Sequence, residues 1–295
     1  MIPTTLPAAA LPRARTLTDA LLSPAGPAPA PAALDALRAR LAAGLAAVGP
    51  ASGPVLRIDA FALRTATGAD AGAAGRPFRW TPRTARRTLG VAAVRHCLVG
   101  GGRTPAEAVA ASAARLVEDA RHGLARRGTP AAWLASLPGG ARAQVLAEAT
   151  TWATHLYEAV EWHRLARPPA VGAPDRWWDC PGPVAVALRG RADARFPLPG
   201  GGEALLTMVA GRPGPSGRVE LGLAALVDVV ARPTARPPSR VVGWWPECGR
   251  ALVLAVDLGL LSETAGSVTE AVRRAAGDRR PGPVHECAIE VPAAA

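Results

Sequence analysis

Residues 218–231 read RVELGLAALVDVVA, a stretch with helical character and very few polar side chains. A helix this apolar cannot lie on a surface, because a surface helix keeps one charged face toward water. It has to be enclosed, and its neighbours supply the enclosure. Before it, 184–196 and 203–210 have the length and apolar content of strands, as do 240–245 and 251–256 after it, with Gly/Pro turns between several of them. Residues 258–276 follow as a closing helix. Strands, a buried helix, more strands and a final helix imply an α/β fold, a mixed central sheet with helices on both faces. No internal repeat is present.

Upstream the pattern is helical. Residues 23–33, SPAGPAPAPAA, favour extended polyproline geometry and exclude helix or sheet ladder, so residues 1–33 read as a flexible Pro/Ala-rich leader. A helix is expected over 34–48, ending at Gly49-Pro50, and a strand over VLRIDAFALR, 55–64. Thr81-Pro82, Thr104-Pro105 and Thr129-Pro130 each place a capping hydroxyl before a proline at the first helical position, and TPAE at 104–107 is a capping box. The glycines 100–102 end a helix; a phosphate-binding loop would need a preceding strand and a following Gly-Lys pair. One long helix is expected over 141–165. The organisation is therefore a leader (1–33), a mainly helical region (34–140) and an α/β core (141–295).

With 295 residues and 49% hydrophobic content, the chain can bury a sizeable core. It contains no lysine and no asparagine, and its net charge is +11. A positive excess concentrates anions and steers their approach, which suits nucleic acid; a solubilising surface produces the same balance. Cysteines 97, 180, 248 and 287 form no CxxC pair and read as free thiols in a reducing compartment. His285 and Cys287, with His96 and Cys97, lack the paired spacing of a zinc site. Prolines interrupt the N-terminus where a signal peptide needs an apolar helix, and the run ALVLAVDLGLL is short and contains Asp257. The expected location is cytoplasmic, without a membrane partner.

Several motifs then carry a resemblance. Gly190-Arg191-Ala192-Asp193 matches a G-[RK]-x-D strand, TMVAGRPG at 207–214 follows where a (D/E)-x-K-[TS]-G strand belongs, and ELGLA at 220–224 stands where a helix beginning Q-x-x-x-Y is found. In these features residues 141–276 resemble the RecB-like branch of the PD-(D/E)XK nuclease superfamily, with its restriction-endonuclease-like core. The resemblance implies a magnesium-dependent phosphodiester cleavage site, and it breaks at the chemistry. Aligning Gly211 puts Thr207 at the acid and Val209 at the lysine. A metal-dependent nuclease needs carboxylate oxygens on the cation and usually a nearby positive group. Neither residue serves, and in a lysine-free chain only arginine can supply charge, which stabilises phosphate but cannot accept a proton.

Strand alternation over 184–196 puts Arg189, Arg191, Asp193 and Arg195 on one face, an arrangement suited to an anion. Together with Arg212 and Arg218 these arginines are the candidate phosphate contacts, and Asp193 is a vestigial metal ligand. Glu148, Thr151, His155 and Glu158 form a polar stripe on the long helix; His155, Glu158 and Glu220 are the side chains able to join Asp193 in a relocated metal site, against the plainer reading of a solvated face. His163 reads as a core or edge histidine. Of the eight tryptophans, 177-178 and 244-245 are doublets, and in a strand the members of a doublet point to opposite faces. Arginine beside exposed tryptophan can clamp single-stranded nucleic acid, while large aromatics also serve packing. Three functions remain open: a catalytically degenerate nuclease-fold protein that binds nucleic acid, a scaffold subunit docking a protein partner in a DNA-processing or defence complex, and a living nuclease. The first two imply no cofactor; the third requires Mg²⁺.

Overall fold

Residues 17–23, 26, 28–48, 55–68, 80–98, 104–123, 129–165, 170–171, 177–180, 185–199, 201–209 and 213–277 are described by the computed structural model. In chain order they form α1 (Leu17–Leu22), α2 (Pro31–Ala46), β1 (Leu56–Asp59), α3 (Ala60–Ala66), α4 (Pro82–Leu98), α5 (Pro105–Arg121), α6 (Pro130–Ser136) and α7 (Gly139–Ala159). A short 3₁₀ turn, Trp162–Arg164, leads to β2 (Ala170–Val171), β3 (Trp178–Asp179), β4 (Val186–Arg189), β5 (Ala194–Pro197), β6 (Glu203–Met208), α8 (Pro215–Ala231), β7 (Arg240–Trp245), β8 (Arg250–Ala255) and α9 (Leu258–Gly277). The capping signals act as the sequence reads. Thr104 accepts from the Glu107 N–H at 3.3 Å while its own N–H donates to the Glu107 carboxylate at 2.9 Å, and Thr129 accepts from the Ala132 N–H at 3.3 Å.

The strands make two sheets, β1-β4-β3 and β2-β5-β6-β7-β8. Within the larger one, β6 and β7 are parallel and are joined through α8, while β5–β6 and β7–β8 are antiparallel. The chain is thus mixed α/β. Alternation along the central strands divides the interior in two. Leu205, Val209, Val241 and Trp245 enter a core with α2, α3, α8 and α9; Ala204, Leu206, Met208, Val242 and Trp244 enter a core with α1, α4, α5, α6 and α7. Both members of the 244-245 doublet are therefore buried, one in each core. α8 is enclosed as its composition demands, with everything from Glu220 to Val230 buried. Glycines let its neighbours close in: a Cβ on Gly190 would lie 2.7 Å from the Leu223 carbonyl oxygen, and one on Gly217 would lie 2.6 Å from the Trp245 ring.

Several boundaries differ from the sequence expectation. The leader contains α1, whose Leu17, Ala20 and Leu21 are fully buried in the second core. The expected strand 55–64 turns helical at residue 60, because Asp59 caps α3 by accepting from the Ala62 N–H at 2.9 Å. The long helix stops at Ala159, and His163 sits exposed in the 3₁₀ turn rather than in the core. Most consequentially, 184–196 is not one strand. β4 belongs to the small sheet and β5 to the large one, with 190–193 crossing between them. The single face expected for Arg189, Arg191, Asp193 and Arg195 does not exist.

Candidate functional site

Asp193 stands where the chain passes from one sheet to the other. Its N–H donates to the Leu206 carbonyl at 2.7 Å, which starts the β5–β6 ladder. Its buried carboxylate accepts from Arg191 Nε at 2.6 Å on Oδ1 and from the Met208 N–H at 2.7 Å on Oδ2. Thr207, which the sequence resemblance aligns with a catalytic acid, is fully buried and donates its hydroxyl to the Arg191 carbonyl at 2.7 Å. Val209, which the same resemblance aligns with a catalytic lysine, is buried in the first core. Both carboxylate oxygens are engaged in holding the crossover, and the two neighbouring positions contribute a hydrogen bond and packing.

Arg195 is buried and closed into a network. It donates to Glu203 at 2.9 Å and to both oxygens of the buried Asp228 on α8; Arg232 reaches the same two carboxylates at 3.5 Å. Burial pulls the Arg195 guanidinium below its ordinary value, the nearby Arg232 charge adds to that, and Glu203 opposes it. The network ties β5 and β6 to the C-terminal end of α8. Arg218, at the other end of α8, is half exposed and pairs with Glu263 of α9 at 2.9 Å. Arg212 lies outside the described residues.

The relocated metal set is not gathered. His155 and Glu158 are exposed on α7, which packs in the second core, whereas Glu220 is buried on α8 in the first and pairs with Arg64 of α3 at 2.8 Å. The large sheet separates the two helices. Among the described residues no group of three His, Cys, Asp or Glu side chains comes together.

A different cluster forms on the small sheet. One face of β1-β4-β3 carries Leu56, Ile58, Val186 and Leu188 into the first core, with Trp178 against it. The opposite face carries Arg57 and Asp59 from β1, Ala187 and Arg189 from β4, and Asp179 from β3. Trp177, preceding β3, lies over this face: the Arg189 guanidinium carbon is 4.7 Å from its ring centroid and that of Arg57 is 5.6 Å away. Both are within the range at which the ring's quadrupole attracts a cation. Asp59 holds Arg189 at 3.0 Å, and among the described residues no carboxylate pairs with the exposed Arg57. Two guanidiniums are thus positioned by one indole on a surface that the core does not use.

Neither family models nor curated proteins yield a match to this sequence. Arg189 is the member of this cluster reached as a site residue from the sequence. Arg57 was legible only as the outward position of an alternating strand, and 120 residues separate it from Trp177.

Proposed function

We propose that the chain is a catalytically degenerate nuclease-fold protein that binds nucleic acid through the outer face of its small sheet, with Arg57 and Arg189 on phosphate and Trp177 orienting them. The observation that carries this reading is the pair of guanidiniums on the Trp177 ring. Supporting the nuclease-type ancestry are the antiparallel β5–β6 pair followed by a helical crossover to a parallel β7, with Asp193 at the head of β5. The buried Thr207 and Val209 support the loss of cleavage. Of the other candidates, Arg195 is excluded from phosphate by its own network, and Arg218 is a peripheral contact at most.

Phosphate contacts of this kind are salt-sensitive and largely independent of sequence. Asp59 and Asp179 share the face, so the field is modest and the number of phosphates engaged is small. For about two contacts on single-stranded DNA, the slope of log K against log salt is about −1.4. The test is a salt titration of binding to single- and double-stranded oligonucleotides by the native chain and by Arg57→Ala. Binding at low salt with a shallow slope, reduced by about one half in the variant, is expected. Absence of binding at low salt overturns the reading and leaves the scaffold function. That second reading rests on the same patch, since tryptophan and arginine at the centre of a mixed-charge surface are also typical of protein-binding hot spots.

A further inference from the structure

The edge strands of the two sheets are unequal. β2 and β3 are two residues each, and β1 is four residues long and carries Arg57 and Asp59. Short or charged edges of this sort resist pairing with another chain. β8 is different. It spans six residues, RALVLA, without proline, glycine or an internal charge, and it ends the five-stranded sheet. Among the described residues no strand pairs with its outer side.

The register fixes which backbone groups face outward. The Val256 N–H donates to the Ser239 carbonyl at 3.1 Å, and the β7–β8 pairing continues this alignment through Leu254↔Val241, Leu252↔Gly243 and Arg250↔Trp245. In an antiparallel ladder, hydrogen-bonded and non-bonded pairs alternate. The N–H and C=O groups of Ala251, Val253 and Ala255 therefore point away from β7.

We propose that β8 is the interface of a two-fold homodimer in which the two copies of this strand pair antiparallel about Val253 and extend the sheet across the molecule. In that register Ala251 bonds with Ala255 of the second copy and Val253 with its own counterpart, so every outward backbone group is satisfied. Leu252 meets Leu254 of the other copy as a close, non-bonded pair, the geometry in which side chains approach best. Arg250 comes opposite Val256, the residue immediately before Asp257, both charged side chains being exposed. Asp257 uses Oδ1 to accept from the Leu260 N–H at 2.8 Å, and the guanidinium of the second copy complements its charge. Leu258, 37% exposed at the start of α9, adds apolar surface beside the strand. The edge thus complements itself in hydrogen bonding, apolar contact and charge, which identifies the partner as a second copy of this chain.

The decisive experiment is sedimentation equilibrium of the native full-length chain and of Val253→Pro. Proline at 253 removes an outward N–H and none of the β7 ladder, a position where an edge strand accepts it. Twice the chain mass for the native protein and the single mass for a folded Val253→Pro are expected. A native monomer at every concentration, or a dimer that survives Val253→Pro, overturns the proposal. Should Val253→Pro fail to fold, Arg250→Glu is read in its place. The new carboxylate comes beside Asp257 of the other copy twice per dimer and is expected to weaken association about tenfold, with partial recovery in Arg250→Glu/Asp257→Asn, which removes the repulsion and keeps an acceptor for the Leu260 N–H. No weakening, or no recovery, counts against the interface.

Discussion

Arg195 and Arg57 are both strand arginines beside carboxylates, in the two sheets of one molecule, and they are used in opposite ways. Around Arg195 the charges are enclosed and mutually satisfied: two guanidiniums and two carboxylates converge between β5, β6 and α8. Around Arg57 they lie on a surface, oriented by an aromatic ring and turned to water. An arginine-rich stretch next to an aspartate does not by itself identify an anion site. What separates the two cases is whether the fold has already supplied the counter-ions. In the large sheet it has, and the residues that look like the remains of a catalytic strand act as struts. In the small sheet only part of the charge is met internally.

The largest expected effect breaks the enclosed network. Asp228→Ala leaves Arg195 buried with Glu203 as its remaining partner, and loss of about 3 kcal/mol in chemical denaturation is expected, since removing one member of a buried pair strands the other charge. Replacing both residues by leucine is expected to cost less than the single change, because Glu203 and Arg232 still pair with each other. A double variant as damaged as the single one would show that the network does more than hold the strands. Neither variant is expected to change the salt slope of nucleic-acid binding.

Asp193→Ala comes next. It strands the Met208 N–H and loosens Arg191 at the crossover, at a cost of about 2 kcal/mol. Magnesium- or manganese-dependent cleavage of DNA is expected to be the same in this variant and the native chain. Cleavage that depends on Asp193 would restore the living-nuclease function and dissolve the contrast between the two regions.

Cys180 offers a smaller, pH-dependent test of how tightly the small sheet is closed on its core side. Burial, with the Asp179 charge adding to it, pushes its thiol up to about 12 from an ordinary 9.0. The folded state therefore binds this proton more tightly than the unfolded state does. The stability from this site is complete below pH 9 and declines as the pH rises from there toward 12. Just below pH 9 an alkylating reagent is expected to label the exposed Cys248 and to spare Cys180 in the native protein. Rapid labelling of Cys180 would mean that the sheet opens.

The sequence and the structure agree best where burial alone dictates the pattern. α8, β7, β8 and α9 begin and end within three residues of their expected limits, because an enclosed helix and short apolar strands leave few alternatives. They part at 190–193. The only local sign of a break there is Gly190, and its reason is tertiary: the α8 backbone lies where a side chain would be. Alternation carried across that point joined residues that belong to different sheets. Asp59 was legible in principle, as an acid before an apolar helical run, but the strand alternation around it was the stronger signal. The Arg57 and Trp177 contact had no local sign, since it arises only when β1 and β3 flank β4.

The smallest effect on stability, and the sharpest separation of the two regions, is expected at Arg57. Its guanidinium is exposed, it touches the face of one indole, and among the described residues it has no carboxylate to leave unpaired. Arg57→Ala should therefore stay within about 0.5 kcal/mol of the native chain in denaturation. Arg189→Ala is a less clean probe, because Asp59 also caps α3 and would lose its cation. If Arg57 contacts phosphate, its removal lowers nucleic-acid affinity and flattens the salt slope while the melting curve stays in place. If its contact with Trp177 is structural, the melting curve moves and the slope does not. The two measurements on one variant decide which kind of arginine this is.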